Sequence, residues 1–141
     1  MNEQYLHIRL QHQFRLRRTE WVAAVQMLLW GMVLLLPNEV FASPSFALFS
    51  SFADETTWGV VAFVLGVLRL TGLIVNGARR KVTPWVRLLT ALAGCGFFTA
   101  VTLCFAASGN MSTWLAAWPV AAVVEVFNIY DTARDARASN G

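Results

Sequence analysis

Four long apolar stretches, residues 21–36, 58–77, 84–107 and 113–130, alternate with short segments that hold every charged residue except Arg69, Arg87 and Glu125. This pattern constrains the fold more than any motif. Apolar lengths of this kind need a medium other than water, and a soluble core would carry charged faces along them. With 57% hydrophobic and 13% charged residues in 141, the chain holds more apolar side chain than one soluble core of that size absorbs.

A hydrocarbon layer of about 30 Å takes a helix of about 20 residues. Residues 58–77 and 84–107 reach that length. The 16 residues of 21–36 rise only about 24 Å, so they rely on flanking side chains or local thinning of the bilayer. Residues 113–130 contain Pro119 and Glu125 and are the least lipid-like of the four. The runs are continuous and rich in Leu and Ala, without the alternation of a transmembrane barrel. The expected fold is therefore an all-α membrane protein of four transmembrane helices.

Short cytoplasmic loops collect Lys and Arg, which sets the orientation. Arg9, Arg15, Arg17 and Arg18 precede the first span, and Arg79, Arg80 and Lys81 lie between the second and third. The loop 37–57 has only acids, Glu39, Asp54 and Glu55, and 108–112 is uncharged. Both termini are then inside, with Arg134 and Arg137 in the tail. The expected organisation is a cytoplasmic amphipathic basic segment at 1–20, a four-helix transmembrane domain at 21–130 and a short cytoplasmic tail at 131–141. Trp21, Trp58 and Trp85 stand at membrane boundaries as interfacial residues. The net charge of +3 is accounted for by the inner-leaflet arginines, so no nucleic-acid partner is expected.

Leu6, Leu10 and Phe14 share one side of a helix over residues 1–20, with Arg9, Arg15 and Arg18 elsewhere, which suits an inner-surface anchor. Alternation at even positions also permits a strand, and a tail whose arginines only set topology is the plain alternative. Val40-Phe41-Ala42 before Ser43 resembles a signal cleavage site, but 20 leading residues are long for a signal's basic region. The uncut chain is the expected form. In the first outer loop, Ser43-Pro44 suits the start of a short interfacial helix, placing Phe46, Phe49 and Phe52 in the outer headgroup layer. Cys95 and Cys104 point to opposite sides of one helix and are expected as reduced filler.

A charge within a span costs about 2.5–3.5 kcal/mol on insertion scales and asks for a reason. Arg69 and Glu125 fall in the same inner half, so pairing across a helix interface would lower the cost of both. Ala62, Gly66, Arg69, Leu73 and Asn76 form a small and polar stripe on the second span, with Gly72 also suited to close packing. Ala121, Glu125 and Asn128 supply a matching stripe on the fourth, so the second span is expected against the fourth. The alternative is that Arg69 snorkels inward while Glu125 reaches water or stays protonated. One acid without a second carboxylate or histidine makes a poor proton relay.

His7 and His12 lack metal partners at ligand spacing, and no phosphate loop, nucleophile elbow or catalytic triad is present. No enzyme activity, cofactor or metal is expected. The run Arg69-Leu70-Thr71-Gly72-Leu73-Ile74-Val75-Asn76-Gly77, followed by Arg79-Arg80 and Pro84, together with Arg18-Thr19-Glu20-Trp21 before the first span, resembles small phage- and prophage-encoded membrane proteins. The resemblance covers the first two spans and their inner loop. It implies a bacterial inner-membrane location and a holin-like, homo-oligomeric role in permeabilising or remodelling the bilayer, although holins usually have one to three spans. Two other roles fit the residues. One is a transporter or channel subunit using Arg69 and Glu125, and the other is a scaffold or superinfection-exclusion protein acting on another membrane protein.

Overall fold

The computed structural model describes residues 17–75 and 83–138. The segment 1–16, Asn76 and the basic loop 79–81 lie outside the described residues. Among those described, every regular element is helical: α1 (Arg18–Leu35), α2 (Ala47–Phe52), α3 (Glu55–Val75), α4 (Thr83–Ala107) and α5 (Trp114–Ala138), with 3-10 turns at Val40–Ala42 and Pro44–Phe46. Two helices are long and apolar enough to cross a membrane, α3 at mean hydropathy 2.1 and the Trp85–Ala107 part of α4 at 2.0. α1 opens on Arg18 and Glu20, and α5 ends on Asp131, Arg134, Asp135 and Arg137, so polar residues occupy an end of each.

The long helices form two close pairs, α1 with α3 and α4 with α5. Small residues make the first pair tight. A Cβ at Gly66 would stand 2.8 Å from the Leu28 backbone, and one at Gly31 would stand 2.8 Å from the Phe63 Cα. Only glycine at these positions lets two helix backbones approach so closely. Of the expected stripe, Ala62, Gly66, Arg69 and Leu73 are buried, Gly59 is buried ahead of them, and Asn76 lies outside the described residues. The stripe's partner differs from expectation: the small residues face α1, and only the Arg69 end reaches α5. Among the described residues, a Cβ at Gly72 would meet only Val86, at an ordinary 3.9 Å.

Between the pairs lies an aromatic core. Trp30 meets Phe97 and Trp118 with ring centroids at 5.4 Å in both cases, and Phe49 meets Phe105 at 4.8 Å. Edge-to-face packing of this kind adds about 0.5–1.5 kcal/mol per pair beyond burial. Trp118, Phe98 and Phe105 are fully buried, so the centre of the bundle at this level is filled with ring atoms.

The first loop departs from the expected interfacial helix. Ser43 makes no side-chain cap, and Pro44–Phe46 is a 3-10 turn leading into the six-residue α2. Phe46 and Phe49 turn inward and are 7% and 0% exposed, whereas Phe52 remains outside at 75%. The Phe46 and Phe49 rings thus complete the protein core rather than spreading over headgroups. The loop is tied to α3 by Glu55, whose carboxylate accepts the Val40 N–H at 3.2 Å and the Phe41 N–H at 2.9 Å. Asp54, exposed beside it, accepts the Thr57 hydroxyl, which holds its carboxyl below the usual carboxylate range. α5 continues about two turns past Tyr130, so the expected tail is helical to Ala138 and buries Thr132 and Ala136.

Candidate functional site

A polar column begins with the two charges that stand alone in the apolar runs. Arg69 on α3 and Glu125 on α5 form a two-pronged ion pair, Nη1 to Oε1 and Nη2 to Oε2, the latter at 2.9 Å. Their side chains are 3% and 0% exposed. The pair spans between helices that hardly touch otherwise, and α4 lets it pass. A Cβ at Gly94 would sit 2.6 Å from Arg69 Nη1 and 2.7 Å from Glu125 Oε1. The missing side chain at Gly94 is the room in which the pair lies.

Buried hydrogen bonds extend the column. Asn128, one turn along α5, donates from Nδ2 to Glu125 Oε2 at 3.1 Å and accepts the Thr19 hydroxyl on Oδ1 at 2.8 Å. Thr132 donates to the Asn128 carbonyl at 2.7 Å. Next to Thr19, Glu20 receives Arg87 from α4, with Nε to Oε2 at 2.9 Å and Nη2 to Oε1. Arg87 Nη1 also reaches Asp135 at 3.0 Å, and Arg17 meets the same carboxylate oxygen at 3.5 Å. Burial pushes the Arg17 guanidinium down from its ordinary value; nearby Arg87 adds to this, while Glu20 and Asp135 oppose it. All four long helices contribute, and the three cations meet three carboxylates.

Charge-assisted, two-pronged guanidinium–carboxylate bonds are among the strongest hydrogen bonds available. Their net stabilisation is limited by the cost of taking both ions out of water, but removing one member leaves an uncompensated charge and costs about 3–5 kcal/mol. The column therefore locks register and partner choice. Each interior acid is saturated by a guanidinium, which suits a lock and not a proton donor or acceptor.

The structure brings together Arg69, Glu125 and Asn128 in this column, while Asn76 lies outside the described residues. Ala62, Gly66 and Ala121 are buried packing positions, Ala62 and Ala121 in the aromatic-rich core and Gly66 against α1. Trp21 is half-buried, and Trp85 is exposed at 46%. Trp58 is drawn into the ring cluster, its indole N–H donating to the Phe49 carbonyl at 3.2 Å. The second ion cluster, Thr19 and Gly94 were not anticipated. The available signal was depth: Glu20 just ahead of the first run and Arg87 just inside the third fall at one level of the proposed inner boundary. Cys95 and Cys104 are free thiols. Among the described residues, no group of three His, Cys, Asp or Glu side chains is placed to hold a metal. Compared with protein families, with curated proteins and with solved structures, the chain has no match.

Proposed function

We propose that the chain is a four-span protein of a bacterial inner membrane, with both ends inside, acting as an accessory to other membrane proteins and not as an enzyme or a single-chain pore. The observation that carries this reading is the inward pairing of its interior charges, together with the buried rings of Phe98, Phe105 and Trp118 that fill the centre of the bundle at their level. A carrier needs an interior ionisable group with a free state to change, and Glu125 is held by two guanidinium nitrogens and an amide.

The membrane reading is supported by α3 and α4, and by an apolar exterior on all four long helices, as at Val22, Leu29, Leu68, Leu103, Val123 and Phe127. Exposed apolar surface of that extent is typical of lipid or partner contact. The sign of the loops, basic at 79–81 and acidic at 37–57, supports the inside placement of both ends. Within the resemblance to phage membrane proteins, superinfection exclusion is the role that fits a closed bundle. Holin-like permeabilisation would require a pore lined between copies.

Induced expression in bacteria carrying a potential-sensitive dye separates the two. An accessory protein leaves the membrane potential and growth intact while photo-crosslinking from exposed Phe52 traps a membrane neighbour. Prompt depolarisation would overturn this reading in favour of the holin-like one.

A further inference from the structure

The two helix pairs do not close equally. α1 and α5 touch over a short length, and along their seam lie two recesses. The larger, about 580 Å³, is almost wholly apolar and follows α1 from Trp21 through Val25 and Leu29 to Val33, with Trp114 and Trp118 as its far wall. The smaller, about 370 Å³, sits at the end of α1 marked by Arg17 and Thr19, and is bounded on α5 by Asp131, Arg134 and Asp135. The last α1 residues of the polar recess directly precede the first of the apolar groove.

The dimensions suit one molecule with a polar head and a hydrocarbon tail. From Trp21 to Val33 a helix rises about 18 Å, slightly more than the roughly 15 Å of hydrocarbon in one leaflet. The head recess carries both signs. Arg87 closes on Glu20 and Asp135, and Arg17 on Asp135, leaving Arg134 and Asp131, one turn apart on α5, exposed without an ion-pair partner among the described residues. The Arg134 guanidinium beside the Asp131 carboxylate complements a phosphate joined to an ammonium that has N–H bonds to donate. A trimethylated ammonium has no such bond, and a glycerol head leaves the Asp131 carboxylate without a cation.

We propose that the α1–α5 seam holds one phosphatidylethanolamine molecule, its phosphate on Arg134, its ammonium on Asp131, and one acyl chain in the groove beside Val25 and Leu29. This inference rests on the membrane-spanning reading above. It adds a specific lipid site to it, at the inner end of the bundle where the polar column emerges.

The full-length protein, reconstituted into nanodiscs of equal parts phosphatidylethanolamine, phosphatidylcholine and phosphatidylglycerol, is released and weighed by native mass spectrometry. One ethanolamine lipid per chain is expected, enriched about tenfold or more over the other two, as losing one charge-assisted pair implies. Arg134→Gln with Asp131→Asn should remove the preference, and Val25→Trp, which fills the groove, should remove the retained lipid whatever its head. Circular dichroism and elution matching the unaltered protein identify variants that remain folded. Equal retention of all three lipids, a preference for the glycerol head, an ethanolamine preference that survives the double substitution, or a lipid-free dimer would each overturn the site. Failure of the underlying reading looks different: the chain would stay dispersed without detergent and never enter the nanodisc.

Discussion

Replacing one member of the Arg69–Glu125 pair should be far more harmful than replacing both. In Arg69→Met, Glu125 keeps only the Asn128 amide in a site where its side chain is 0% exposed. Glu125→Met leaves the guanidinium, 3% exposed, facing an apolar side chain. Each single change therefore leaves a buried ion without its counter-charge, at a cost of about 3–5 kcal/mol. The double variant removes both ions and fills the space with hydrocarbon of comparable reach, a change that is typically neutral or mildly stabilising. The expected coupling energy is about 3 kcal/mol or more, at the top of the range for contacting residues. Reversible unfolding in mixed micelles, read by tryptophan fluorescence, measures all four corners of this cycle. If the single variants are too unstable to isolate, recovery of monodisperse protein in the double variant is the readout. Additive losses would refute the argument that the two charges exist to neutralise each other.

Two further outcomes follow from particular contacts. Gly94→Val should cost as much as losing the pair, because a Cβ there would lie 2.6 Å from Arg69 Nη1, whereas Gly96→Ala, with nothing within 4 Å, should be near neutral; thermal unfolding of the two variants compares them directly. Glu55→Ala leaves the Val40 and Phe41 N–H groups without their acceptor, at about 1–3 kcal/mol, and limited proteolysis should then cut the 37–54 loop faster while leaving α3 intact.

Helix content and most helix positions were legible because apolar run length is a one-dimensional property. Arg69 and Glu125 were legible for the same reason: a charge inside an apolar run has no local explanation. Glu20 and Arg87 were not, because they sit at run edges where inner-leaflet arginines and solvent already account for charge. The small-residue stripe on α3 was visible, but spacing gives the buried face and not the helix that covers it, which proved to be α1. Phe46 and Phe49 show a related limit. Apolar residues in a loop declare that they avoid water, and the core of the protein and the bilayer satisfy them equally at the level of composition. Gly94 carried no signal, since its role is the volume it leaves empty between residues far apart in the sequence.

The ion pairs are distributed unevenly between the two helix pairs. Arg69–Glu125 and Glu20–Arg87 each join the α1/α3 half to the α4/α5 half, and Arg17–Asp135 does the same. If all four long helices span the bilayer as proposed, the first half enters it during synthesis with Arg69 and Glu20 still awaiting counter-ions that the ribosome has not yet made. A nascent chain stalled or truncated there would present bare charges to lipid, a feature that membrane quality-control proteases can use to distinguish an unfinished copy from a finished one.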